Sequence, residues 1–439
     1  MTLISSKAPA YDNSGATGPS SGRAQPNPPA NNATMPTPAL ILSLAALAQP
    51  APSDDWKAQE RPHLRHAVQL TTREQFAKAG EAYFSPDGNW IIFQAVPAPE
   101  SGKNEDPFYA MYIAKLKRDR FTGLVDGLEK IEKVSPDGSA NTCGWFHPQD
   151  QWRILFGSTL GPPGNEEKSG FQVGTRRYVW MFPTEMEVAT RQVKSIFLDG
   201  MKPEPHPPQP TEAVVAVAGD TPTTPVFTLP NYDAECSYSP CGRFILYAHI
   251  ENGKEGDKPD ANIYIYDTQT KKHHAIVTAR GYDGGPFFSP DGKSICYRSD
   301  RKGNDLLQLF VADLKFQDGV PVGLEKEYQL TDNKHVNWCP YWHPSGKFLV
   351  YGSSEVGHHN YEVFAIDCDM QALRAGASPS SLKHTRITHA PGADILPAFS
   401  PDGSLLMWTS QRGPKLDTED KPSSQLWIAQ WTTPQGLTQ

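Results

Sequence analysis

A short turn that keeps returning is the feature that limits this chain most. Phe288-Ser289-Pro290-Asp291-Gly292 stands between the apolar stretches Pro286–Phe288 and Ser294–Arg298. Proline presets φ at the second turn position, aspartate bonds its own backbone and glycine accepts φ > 0, so the segment predicts a β-hairpin. A second polar turn, Arg298–Asn304, leads to a third strand over Leu309–Asp313. The same turn returns around Pro86, Pro148, Pro240, Pro344 and Pro401, at intervals of 62, 92, 50, 54 and 57 residues. Six copies of a four-stranded unit of this length predict an all-β chain, a six-bladed β-propeller.

The last copy runs through Phe399–Thr409 and Gln425–Gln430 and then has no fourth strand. Ala67–Thr71 is a lone strand ahead of the first copy, so it is expected to close the ring as the outermost strand of the last blade. Closure of this kind removes two exposed sheet edges. Blade two is expected to end on Val226–Leu229 and blade one on Lys130–Val134.

Composition narrows the rest. A net charge of −8 lacks the basic face that nucleic-acid binding needs. Six cysteines, none in CxxC spacing, are too scattered for a disulfide framework and read as small buried apolar residues. Residues 1–34 are low-complexity and predicted disordered. Within 35–48, the run Ala39–Ala48 ends in Ala46-Leu47-Ala48, too short to span a bilayer but suited to a signal peptide cleaved after Ala48. An unfolded Ala/Leu-rich tail is the competing reading, and Met35 an alternative start. Residues 49–65 read as a polar linker, 66–432 as the propeller with a Pro/Thr/Ala-rich insertion at 199–225, and 433–439 as a tail. Periplasmic or otherwise exported location follows from the signal peptide.

The six turns, Ser299-Asp300-Arg301 with Gly303-Asn304, Asn360-Tyr361-Glu362, Ile263-Tyr264 before Asp267, and the Leu-Thr pairs at blade ends resemble the TolB-like, WD-repeat-related propeller family. The resemblance covers about Ala67 to Trp431 and implies an envelope scaffold that binds a protein or peptide, with no cofactor. Propellers of this type also precede prolyl-oligopeptidase-type hydrolases, but the chain has no GxSxG elbow.

Seven residues before each turn proline stand Ala79, Asn141, Asp233, Asp283, Asn337 and Asp394. This is the entry to each innermost strand, on the face opposite the Pro-Asp-Gly turns, and the side chains are expected to ring the mouth of the axial channel. With Tyr282, Arg298 and Arg301 they form the expected ligand site, a negative funnel suited to a cationic group. Mutual repulsion should raise at least one carboxyl pKa. Asn and Asp also start turns by capping their own backbone, and both readings hold together. A different class of function, metal-assisted polysaccharide lyase or hydrolase, would use Arg298 or Arg301 with His335, His358, His359 and His389 around a divalent cation. His147 and His343, which replace the turn serine, read as structural.

Overall fold

A computed structural model describes residues 55–437, apart from 151, 165–169, 173–176, 180–181, 199–219 and 252–259. The expected signal peptide, most of the insertion, and Arg176 and Trp180 of the blade-two loop therefore lie outside the described residues. Among the described residues no helix is long and apolar enough to cross a membrane.

Six four-stranded antiparallel sheets form a closed ring, the six-bladed β-propeller that the repeats imply. Each Pro-Asp-Gly turn joins the two inner strands of its blade. In blades one, four and six the turn serine accepts the N–H of the residue five places on, at 2.9 Å, and donates to the turn aspartate. Turn glycines sit at φ +68 to +72° in five blades, which explains their recurrence. His147 and His343 do the serine's work differently. Nδ1 of His147 accepts the N–H of Gln149 and Asp150, and Nδ1 of His343 accepts that of Ser345.

The Leu-Thr pairs also gain a physical meaning. At the end of the outermost strand the hydroxyl of Thr71, Thr331 or Thr388 accepts the N–H of the second residue of the third strand, at 2.8–2.9 Å. That N–H would otherwise be buried without a partner.

Closure is as expected in kind and shifted in extent. The closing strand is Leu64–Gln69, paired antiparallel with Gln425–Trp431. It starts three residues before the expected Ala67 because Leu64 is buried in the apolar cluster containing Trp431. Blade one's outer strand is longer than expected, Val125–Lys133. Blade two's is Thr224–Pro225 rather than Val226–Leu229. Phe227 leaves the ladder to pack on Tyr247 and Tyr266 of blade three, both at 4.8 Å.

The segment read as linker contains a helix, Asp55–Glu60. Its Glu60 is buried and receives both terminal guanidinium nitrogens of Arg412 from blade six, at 2.7 and 3.0 Å. Removing residues 1–54 should therefore leave thermal stability unchanged, whereas removing 1–63 should lower it by taking Glu60 from Arg412. Removal through Thr71 exposes a sheet edge as well and should lower it further. Equal melting of the last two truncations would show that the closing strand adds nothing.

All six innermost strands carry a β-bulge at the same place. Register slips between Gly80/Ala82, Thr142/Trp145, Ala234/Ser237, Gly284/Phe287, Trp338/Tyr341 and Ile395/Ala398. The bulged residues Glu81, Cys143, Glu235, Gly285, Cys339 and Leu396 all have φ between +45 and +57°. Each lies five places before its turn proline. A bulge bends its strand and shifts the pleat by one residue, which decides what faces the axis.

Candidate functional site at the propeller axis

The axis is built in layers. Three places before the turn prolines stand Tyr83, Trp145, Ser237, Phe287, Tyr341 and Ala398. The four aromatic rings meet one another. Tyr83 of blade one lies 5.5 Å from Phe287 of blade four, and Trp145 of blade two 6.3 Å from Tyr341 of blade five. Blades one and four, like two and five, are opposite in a six-membered ring, so these contacts cross the axis and close it toward the turn face.

Above this floor lies the polar layer of bulge residues. Glu81 Oε1 accepts from the Cys143 thiol at 3.0 Å and from Tyr83 OH at 3.3 Å. Glu235 Oε2 accepts from Arg298 Nη2 at 3.0 Å and from the Gly285 N–H, while Oε1 accepts from Tyr282 OH. The same Arg298 Nη2 donates to Tyr282 OH at 2.8 Å. Arg298 starts on the second strand of blade four and reaches the axis across Gly285. A Cβ on Gly285 would stand 2.0 Å from Nη1, so the guanidinium fills the space that a side chain would take. Its Nε is buried with no acceptor, and Arg298 as a whole is 6% exposed. Burial raises the Glu81 carboxyl above its ordinary value, against the Cys143 hydrogen bond and the nearby Arg298 charge. Burial also raises the Cys143 thiol far above its usual range, which makes it a poor nucleophile. Glu81, Cys143 and Tyr282 remain half-buried although they belong to the axial wall. With the aromatic floor below, the layer is reached from the opposite face. Phe182 stands there, 5.0 Å from Tyr232 and 5.9 Å from Tyr282.

Of the residues expected at the mouth, the structure brings Tyr282 and Arg298 to the axis. Asn141, Asp233, Asp283, Asn337 and Asp394 do open the innermost strands, yet all five are at most 4% exposed and each is held by hydrogen bonds within its blade or to the preceding one. Asn141 donates to Tyr109 O and Ser139 O. Asp233 holds His249 at 2.9 Å. Asp283 accepts the Ala279 N–H and faces Arg301, which also binds Glu327. Asn337 bonds Ser353 and Gln308. Asp394 accepts from Trp408 Nε1 and Arg412. The five are blade braces rather than a funnel. The bulge is the reason: without it, residues seven and three places before the proline would share a face, and with it they fall on opposite faces. Arg301 lies over Phe310 at 4.2 Å, away from the axis.

The histidines of the metal reading do not assemble. His358 packs on Tyr361 and His359, and His389 follows a strand end beside Glu60. The His335 N–H bonds Asn333 in a loop of its own. Among the described residues no group of three or more His, Cys, Asp or Glu side chains is placed to hold a metal. All six cysteines are free, and Cys143 and Cys241 are not buried as expected.

The raised carboxyls owe their shift first to burial, and at Glu187 and Glu362 a carboxylate of the next blade adds to it. Burial pushes Asp283 up to about 7, Glu187 up to about 7 beside Asp233, and Glu362 up to about 8 beside Asp394. Each then keeps in the folded chain a proton that the unfolded chain has already released, so stability falls as pH rises from about 4 toward 8. Burial drives His343 and His389 down to about 4, which makes stability rise with pH from about 4 to about 6.5. The two effects oppose each other in acid, and only the loss remains above about 6.5. Melting temperature should therefore fall between about pH 6.5 and 8.5, and the double change Asp283→Asn, Glu362→Gln should flatten that fall. An unchanged slope in the double variant would refute the assignment.

Residues Glu81, Glu235, Cys143 and Cys339 escaped the sequence reading. Their signal was the position five before each turn proline, where two acids and two cysteines recur in a strand otherwise spent on packing.

Comparison with known proteins gives partial likenesses. No family profile matches the chain. Over 110 residues it is 37% identical to dipeptidyl-peptidase 5 of Porphyromonas gingivalis, covering 24% of this chain and 16% of that protein. Over 196 residues it is 26% identical to the uncharacterized peptidase YuxL of Bacillus subtilis, covering 39% of this chain and 28% of that protein. The chain thus spans well under a third of the curated relatives it matches. Among solved structures, a TolB-type protein of Agrobacterium tumefaciens superposes with a TM-score of 0.43 at 16% identity, over 84% of this chain and 97% of that one.

Proposed function

We propose that this TolB-like six-bladed propeller is an exported, non-enzymatic binding scaffold of the cell envelope that takes a protein or peptide into the axial well. The observation that carries the reading is the layered make-up of the axis. It is floored by Tyr83, Trp145, Phe287 and Tyr341, walled by charged and hydrogen-bonding groups, and approached from the long-loop face under Phe182. Concave sites with an apolar base and a few convergent polar groups are where proteins hold ligands. Glu235 and Tyr282 there are hydrogen-bonded to each other and to Arg298 Nη2, and the thiol is held protonated. These features suit recognition better than bond cleavage. Two partial relatives are named as peptidases, and the fraction of each that is matched is small. Binding rather than peptide cleavage is what we carry to this chain. Export rests on the Ala39–Ala48 run and is tested by N-terminal sequencing of native protein, where Gln49 as first residue is the expected result.

The binding reading is tested by selecting a random peptide library on the full chain. Leu396→Trp, which fills the well from blade six, should abolish capture of the selected peptides. Gln149→Trp, on the turn face, should leave it unchanged. Selected peptides indifferent to Leu396→Trp would place the ligand elsewhere.

A further inference from the structure

The axial layer shows a bias in what it leaves unused. Glu235 has its acceptors filled by Arg298, Tyr282 and the Gly285 N–H. Glu81 accepts from Cys143 and Tyr83. Arg298 uses one nitrogen, Nη2, for both its bonds, and its Nε–H is buried with no acceptor. A buried donor without a partner costs free energy comparable to a lost hydrogen bond, more when it belongs to a charged group. The layer's acceptors are therefore all engaged, and it is short of one for an arginine whose side chain is only 8% exposed. The aromatic floor supplies no acceptor of carboxylate strength at the same level.

We propose that the axial well of this protein is a carboxylate-binding site, with Arg298 as its anchor and the Glu81 carboxyl beside it as a second contact. The shared chemistry is one carboxylate, from the C-terminus of a polypeptide or from a free carboxylic acid. An arginine meets such a group with charge-assisted hydrogen bonds, about twice as strong as neutral ones. Gly285 is part of the device, because only a residue without Cβ lets the guanidinium reach the axis. Glu81 faces Tyr83, Cys143, Glu235 and Arg298, and burial keeps its pKa raised. It therefore donates to an anion when neutral and repels one when ionised. This inference rests on the proposed function only in taking the axial well as the ligand site.

The experiment is calorimetric titration of the full chain with three probes: an alanine-rich hexapeptide with a free C-terminus, the same peptide amidated, and phenylacetate. The free acid should bind at least about tenfold tighter than the amide. Arg298→Lys, which keeps the charge and loses Nε, should remove the difference. If Arg298→Lys does not fold, Glu81→Gln decides. The wild type should lose affinity for the free acid as pH rises through the Glu81 titration, and Glu81→Gln should hold it. Binding of phenylacetate as tight as that of the peptide identifies a small acid as the source, and binding of the peptide alone identifies a C-terminus. Peptides that bind equally with either terminus overturn the carboxylate site and leave the binding scaffold standing. Phenylacetate bound while library peptides fail does the reverse. No binding by any probe at about millimolar concentration overturns the site.

Discussion

Replacing Arg412 by alanine should lower the unfolding free energy by about 3–5 kcal/mol, because it leaves two carboxylates buried with their shared cation gone. Arg412 is 1% exposed on its side chain, with Glu60 at 2.7 Å and Asp394 at 2.6 Å, and its Nε donates to Ser410 at 3.0 Å. Its guanidinium also lies 4.9 Å from the Trp408 ring centroid and 5.0 Å from that of Trp56. Glu60 comes from the N-terminal helix and Asp394 from the last innermost strand, so one side chain ties the start of the described chain to its final blade. Glu60→Gln should cost less, since a neutral amide still accepts from the guanidinium and leaves Asp394 paired. Urea denaturation of the three proteins at one pH gives the ordering directly. A wild-type midpoint for Arg412→Ala would show that the cluster contributes no net stability.

The second large effect is expected at Gly285, and a matched glycine isolates its cause. Gly285 and Gly303 both have left-handed backbone, at φ +57° and +68°. Alanine at either position pays about 1–2 kcal/mol for that conformation. Beyond this the sites differ. A Cβ at Gly303 meets nothing within 4 Å, whereas at Gly285 it would stand 2.0 Å from Arg298 Nη1 and 2.7 Å from Cζ. Arg298 has nowhere to go without leaving Glu235, which is itself 8% exposed. Gly285→Ala should therefore cost about 3–5 kcal/mol more than Gly303→Ala, the range expected for stranding one member of a buried ion pair. Equal losses at the two positions would mean that Arg298 moves freely and that the axial pair is not held by the missing Cβ.

What was legible in the sequence follows from local rules. Six Pro-Asp-Gly-type turns set the blade count, because proline presets φ, aspartate bonds its own backbone and glycine accepts positive φ, none of which needs a distant partner. The missing fourth strand of the last repeat pointed to ring closure, since an unpaired edge demands a strand from somewhere. Even the histidines that replace turn serines were readable as structural.

Only the tertiary structure decided what the axis holds. Side-chain direction in a strand follows a period of two, so residues seven, five and three places before a turn proline look equivalent in the sequence. The bulge at Glu81, Cys143, Glu235, Gly285, Cys339 and Leu396 breaks that equivalence. It turns the Asn/Asp set into the blades and gives the axis to the acid, thiol and aromatic sets. Nothing local announces such a bulge when only Gly285 among the six is a glycine; ring packing holds the other five residues in left-handed backbone. Glu60 was hidden for the same reason. A single acid in a polar stretch reads as solvent-facing until the fold sets a buried arginine 352 residues away against it.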